Sequence, residues 1–219
     1  MKNLRLHISL LFFCFVAMGA YAQEEAELTE AQKKEFQTRV KQKVEEFQNG
    51  LKKIVNDSLS HDARVEHQIN TLKLFIGEGE AYNYYDYELD KRVKSTGVKM
   101  QTSSVNKEHT SSQKLKTYIN KLYDPIARKS KLPYTKIDIE SASAVRVDNI
   151  VKRDDGNYEC MAYFSQKFIG YRDGKVWYSD KTGKKIRCHI TKIDLPTGEF
   201  LFEAKLGDIY VLYTEKLFK

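Results

Sequence analysis

Residues 154–180 read DDGNYECMAYFSQKFIGYRDGKVWYSD, and their pattern decides the fold class. Asp154-Asp155-Gly156-Asn157 and Arg172-Asp173-Gly174-Lys175 both carry Asp-Gly, the pair that tolerates the positive φ angles of tight hairpins. Between these turns Tyr158, Cys160, Ala162, Phe164 and Phe168 all fall on even positions. A period of two marks a strand with one buried face.

The same period extends in both directions. Upstream, Ile137, Ile139, Val145 and Val147 share one face of a long first strand. Downstream, Val176-Trp177-Tyr178 continues as a third strand, Thr182-Gly183 predicts a turn, and Ile186, Cys188 and Ile190 share a face of a fourth. Pro196-Thr197-Gly198 turns again, Glu199 to Ala204 form a short strand, and Ile209, Val211 and Tyr213 close the meander.

The N-terminal half has the helical period instead. Thr29 and Gln32 fit a capping box. Phe36, Val40, Val44, Phe47, Leu51 and Val55 then form one stripe on a helix of about seven turns. Such a stripe serves a coiled-coil seam or a core face; it is not sustained over many heptads, which favours the core face. Asn56-Asp57-Ser58 interrupts it, Ser60 caps a second helix with the stripe Val65, Ile69, Leu72 and Ile76, and Gly77 and Gly79 end that helix. Residues 80–109 open on Tyr82, Tyr84, Tyr85 and Tyr87 and then turn polar. They predict a strand or irregular segment near 80–90 and a mobile loop over 91–110. A second capping box, Thr110 to Gln113, predicts a third helix with Leu115, Tyr118, Ile119 and Leu122 inward, stopped at Asp124-Pro125. Helices first and an antiparallel meander second make a single α+β domain over residues 23–219, with the helices on one face of the sheet. The long strands imply bending, so the sheet is expected to wrap the first helix.

The first 22 residues read as an export signal. A short cationic start (Lys2, Arg5) precedes the apolar run Ile8 to Met18 and the small-x-small pattern Ala20-Tyr21-Ala22. A membrane anchor is the other reading, but the run falls short of the roughly 20 residues a bilayer demands. Cys14 lies among bulky residues inside the run, which disfavours lipidation. The expectation is an exported protein, periplasmic or extracellular, with no integral membrane segment after cleavage. Removing Lys2 and Arg5 lowers the formal charge from +7 to +5, and the remaining basic residues interleave with acids. That distribution excludes a basic stripe with aromatic platforms, and with it a nucleic-acid partner. Cys160 and Cys188 both lie in strand-like segments. A cross-strand disulfide and two buried free thiols are both compatible with that placement.

Four segments carry a family resemblance: Leu72 to Ile76, Asp155 to Tyr158, Gln166 to Lys175, and Tyr178 to Lys184. They resemble a group of exported proteins of Bacteroidetes-type bacteria with no assigned activity. The order of elements over roughly residues 30–218 resembles the nuclear transport factor 2-like fold, also described as a cystatin-like cone. That resemblance implies helices held in the concave face of a bent antiparallel sheet, and a ligand or active site at the open end. It carries over no catalytic residue and no cofactor.

Candidate binding residues are aromatic. Trp177 alternates with Val176 and Tyr178 and is expected to point away from the core, while Phe168 and Val176 point into it. Tyr171 stands on the same hairpin. Tyr84, Tyr85 and Tyr87 read either as an aromatic binding lip or as an edge packed on the sheet. Metal ligation has no support: His61 and His67 are six apart, His109 falls in the loop, and Cys188 and His189 point to opposite faces. No nucleophile motif and no phosphate-cradling glycine loop occurs. The expected function is therefore a non-enzymatic binding or accessory protein for a small ligand or protein partner. The alternatives are a small enzyme using a tyrosine and a carboxylate in a cone pocket, and a structural subunit that forms a homodimer through its sheet.

Overall fold

The computed structural model describes residues 27–86, 91–106, 109–123 and 134–217. The export pattern of residues 1–22, Tyr87 and the Asp124-Pro125 stop lie outside them. Among the described residues the fold is mixed α+β, with a large, mostly antiparallel sheet and three α-helices.

Helix α1 (Glu30–Ile54) starts where the sequence pattern predicts. The Thr29 side chain accepts from the Gln32 amide, and the Gln32 side chain accepts from the Thr29 amide. Phe36, Val40, Val44, Phe47, Leu51 and Val55 are all buried, so the stripe is a core face. Each such side chain contributes about 1.5–3 kcal/mol by leaving water. The Phe47 ring meets Phe75 and Phe164 edge-on, with centroids 5.1 and 6.2 Å apart. Helix α2 (His61–Lys73) is capped by Ser60, whose hydroxyl accepts from the Ala63 amide. Its predicted stripe is only partly inward, because Ile69 is exposed. A 3-10 turn (Ile76–Gly79) follows.

Strands β1 (Tyr82–Asp86) and β2 (Lys91–Ser95) pair as a separate hairpin. Strands β3 (Lys99–Thr102) and β4 (Ser111–Lys114) pair with each other and join the main sheet. The segment expected as a loop over 91–110 therefore carries strands. Its Ser/Thr content suits an edge pair whose outer face meets water. The second capping box is also corrected: Gln113 lies in β4, and helix α3 (Leu115–Tyr123) starts after it.

The main sheet continues with β5 (Lys136–Ser141), β6 (Arg146–Val147), β7 (Val151–Lys152), β8 (Tyr158–Arg172), β9 (Lys175–Asp194) and β10 (Phe200–Lys216). Its order is β4-β3-β10-β9-β8-β5, with β6 and β7 pairing further along β8. The expected first long strand is thus three short ones. β10 runs parallel to β3, with Ile209 opposite Met100; the other pairings are antiparallel. The Asp173-Gly174 turn has φ of 52° and 73° at its two central residues, as a two-residue hairpin of this type requires.

Thr182-Gly183 is not a turn. β9 passes straight through it, with Gly183 paired to Ser165 on one side and Tyr213 on the other. The glycine supplies space, since a Cβ there would lie 2.1 Å from the Tyr213 ring. β10 likewise runs unbroken where two strands were expected, with bulges between Leu206 and Ile209 and between Val211 and Tyr213. Cys160 and Cys188 sit directly opposite each other on β8 and β9 as buried free thiols. A hydrogen bond with Cys160, together with burial, pushes the Cys188 thiol up. Among the described residues no helix is long and apolar enough to cross a membrane.

Helices α1 and α2 approach closely at Gly50. A Cβ at that position would lie 2.1 Å from Oγ1 of Thr71, which is 2% exposed and donates to the His67 carbonyl at 2.7 Å. Helix propensity alone favours Ala over Gly by about 1 kcal/mol. The clash costs about 1–3 kcal/mol and wins, because a buried β-branched side chain has nowhere to turn. Gly50→Ala should lower stability in urea unfolding, and adding Thr71→Ala should recover part of the loss.

Candidate functional site

Along β9 the even-numbered side chains face the core. Ile186, Cys188 and Ile190 are apolar and fully covered. Toward the β8–β9 turn the same row becomes Lys184, Thr182, Asp180 and Tyr178. Asp180 and Lys184 are only 4% and 5% exposed. The strand's period of two thus carries charged groups into a covered space, where burial without partners is costly.

That space is a cavity of about 430 Å³. Its floor is β8 and β9, with Gln166, Phe168, Tyr178, Asp180, Thr182 and Lys184. Its cover is α3 with Tyr118 and Leu122, together with Tyr134. Its rim is β3, β4 and the residues beside them, with hydroxyls from Thr102, Ser103, Ser104, Ser111 and Ser112. Tyr134, Phe168 and Tyr178 form an aromatic wall, with centroids 5.6, 6.1 and 6.3 Å apart. Tyr134 reaches the strand because Gly170 leaves its backbone bare: a Cβ there would lie 2.4 Å from the ring.

The polar groups form two linked sets. Tyr178 Oη donates to Asp180 Oδ2 at 2.5 Å and accepts from the Val105 amide at 3.2 Å. Thr182 Oγ1 donates to Asp180 Oδ1 at 3.4 Å. Lys184 Nζ donates to Gln166 Oε1 at 3.4 Å and lies 5.9 Å from the centre of the Tyr118 ring. Burial raises the Asp180 carboxyl above the usual range, against the pull of Tyr178, Lys184 and Thr182. Burial pushes Lys184 down to about 8, opposed by the Asp180 charge. Burial and the bond to Asp180 push the Tyr178 hydroxyl up to about 12. The pocket therefore pairs a reluctant carboxylate with a reluctant ammonium, and their opposite charges offset each other.

The aromatic residues singled out in the sequence lie elsewhere. Trp177 is 62% exposed at the hairpin tip, with the Arg172 guanidinium 5.1 Å from its ring centre. Val176 is also exposed, contrary to expectation, because the hairpin projects past the core. Tyr171 bonds the Asp138 carboxylate, and that bond raises its hydroxyl; the Lys136 ammonium sits 5.5 Å from its ring centre. Tyr84 lines a different cleft. Tyr85 lies on β1, opposite Arg92. Trp177, Tyr171 and Tyr84 do not converge on one site.

The residues missed were Asp180, Lys184, Gln166 and Tyr178. A signal existed: Tyr178, Asp180, Thr182 and Lys184 continue, in phase, the row of Ile186, Cys188 and Ile190. The predicted turn at Thr182-Gly183 hid it by breaking the phase. Comparison of the chain with protein-family models, curated proteins and solved structures finds no match.

Lys184 makes a pH signature. Its pKa falls from the ordinary 10.5 to about 8 on folding, so the unfolded chain binds more protons between those values. Stability therefore rises with pH through this window. Between pH 7 and pH 10 the wild-type chain should gain on the order of 2 kcal/mol relative to Lys184→Met, measured by urea unfolding at each pH.

Proposed function

We propose that the chain is an exported binding protein. In this reading the sheet bends around α1 into a cone of the nuclear transport factor 2-like kind, with the pocket at its open end. The ligand is a small, neutral, polyhydroxylated ring compound with the chemistry of a mono- or disaccharide. The observation that carries this is the Asp180–Lys184 row, buried beside the Tyr134–Phe168–Tyr178 wall and below a rim of hydroxyls. Aromatic faces suit the apolar face of a sugar ring. The carboxylate, amide and hydroxyls suit its hydroxyl groups. The two buried charges offset each other, so the pocket selects hydrogen-bonding partners over net charge. At about 430 Å³ its volume falls within the ~300–1,000 Å³ of small-molecule sites.

A second reading is an enzyme acting on such a ligand. Asp180 is raised and Lys184 is lowered, which moves both toward the neutral range where general acids and bases work.

Calorimetry of the chain without residues 1–22 against a panel of neutral mono- and disaccharides tests the binding reading. Millimolar or tighter affinity should be lost in Asp180→Asn and weakened about tenfold in Tyr178→Phe. Heats that are flat across the panel would sink it. Turnover of a bound sugar by wild type but not by Asp180→Asn would establish the enzymatic reading instead.

A further inference from the structure

A second cleft, of about 280 Å³, lies between the β1–β2 hairpin, the turn at residues 153–157 and the odd-numbered residues of β9. Those odd residues, Arg187, His189 and Thr191, alternate with the core-facing row, so this cleft opens on the other face of the sheet. It shares no lining residue with the pocket around Asp180.

Three guanidinium groups line it: Arg92, Arg153 and Arg187. The carboxylates present are already engaged. Glu159 accepts from Arg153 at 3.0 Å, and Asp155 accepts from the Asn157 backbone and side-chain amides at 3.0 and 2.8 Å. Arg187 Nε, by contrast, is buried with no hydrogen-bond partner among the described residues. That atom is itself covered, but Arg187 belongs to the cleft lining, and its guanidinium charge has no carboxylate partner among the described residues. The local field has the same sign. Burial first, then the Arg187 and Arg153 charges, push His189 down to about 4, with Asp155 opposing. His189 is thus neutral at pH 7 and can donate a ring N–H to an oxyanion.

We propose that this cleft binds a tetrahedral oxyanion, the phosphate or sulfate group of a small organic molecule. Arg187 and Arg92 supply the charge. Arg153, held by Glu159, borders the site. Asn83, Asn157 and the neutral His189 supply further hydrogen bonds. Guanidinium groups match such oxyanions with paired N–H donors, which lysines do not. The cleft is larger than a free ion needs, which leaves room for an attached organic group.

The experiment titrates the chain without residues 1–22 with inorganic phosphate, inorganic sulfate, propyl phosphate, propyl sulfate and acetate; the propyl esters carry no sugar ring for the other pocket. Calorimetry gives the affinities, and NMR follows the His189 ring. The tetrahedral anions should bind in the millimolar range or tighter, and acetate more weakly. The two esters should exceed the free ions. Whichever ester binds better identifies the group. A bound dianion should shift the His189 titration upward. Arg187→Met should weaken binding about tenfold or more, and so should Arg92→Gln, which lies on the exposed hairpin and leaves the sheet untouched. Acetate binding as tightly as phosphate and sulfate would overturn the proposal, and so would unchanged affinity in both variants. Neither result bears on sugar binding in the other pocket.

Discussion

The packing of one helix face on one sheet face governs the whole molecule. The Phe36-to-Val55 stripe of α1 needs an apolar surface of matching length, and inward residues of β5, β6, β8 and β10 provide it. Phe47 is the centre of that contact, held between Phe75 and Phe164. Once the β8 row is fixed against α1, the phase of β9, which pairs with β8 from Tyr158 to Gly170, is fixed as well. The β9 row then continues beyond its apolar part, and there it delivers Asp180 and Lys184 inward. The polar pocket is thus a continuation of the core, in the same register and with different residue types. The other phase of β9 turns Arg187 and His189 toward the second cleft. One register decision therefore builds two chemically different cavities on opposite sides of a sheet.

Much of the scaffold was legible in local patterns. The capping box at Thr29, the Ser60 cap and the Asp173-Gly174 turn each involve neighbours in sequence, and each has the local geometry that its residues favour. What was illegible depends on partners distant in the chain. Thr182-Gly183 resembles a turn until Tyr213, thirty residues on, is found occupying the space above Gly183. Thr110 to Gln113 resembles a cap until Lys99 to Thr102 pairs with the strand that starts at Ser111. The site suffered most, because buried charges look like surface charges until the strand phase around them is correct. Trp177 and Tyr171 drew notice by composition, yet they stand near a hairpin tip that projects from the core.

Buried polar groups weigh against stability in this fold. Asp180 and Lys184 attract each other, but desolvation dominates both, as their shifts in opposite directions record. Apolar residues of similar volume at these positions would fit the core better. Retaining a carboxylate, an ammonium and a glutamine under an aromatic cover makes sense where a ligand completes their hydrogen bonds.

The pairing order of the sheet governs when any of this can form. β10 is the last strand in the chain, yet it lies inside the sheet between β9 and β3. The β3–β4 pair cannot dock until β10 is in place, although it precedes β10 by about a hundred residues of chain. Contacts that bridge such separations carry a high loop-closure cost and slow the search for the native state. The β8–β9 hairpin can assemble early from local contacts. The hydroxyl rim must wait for the C-terminal strand, so a chain stalled or shortened before β10 has a core without a closed pocket.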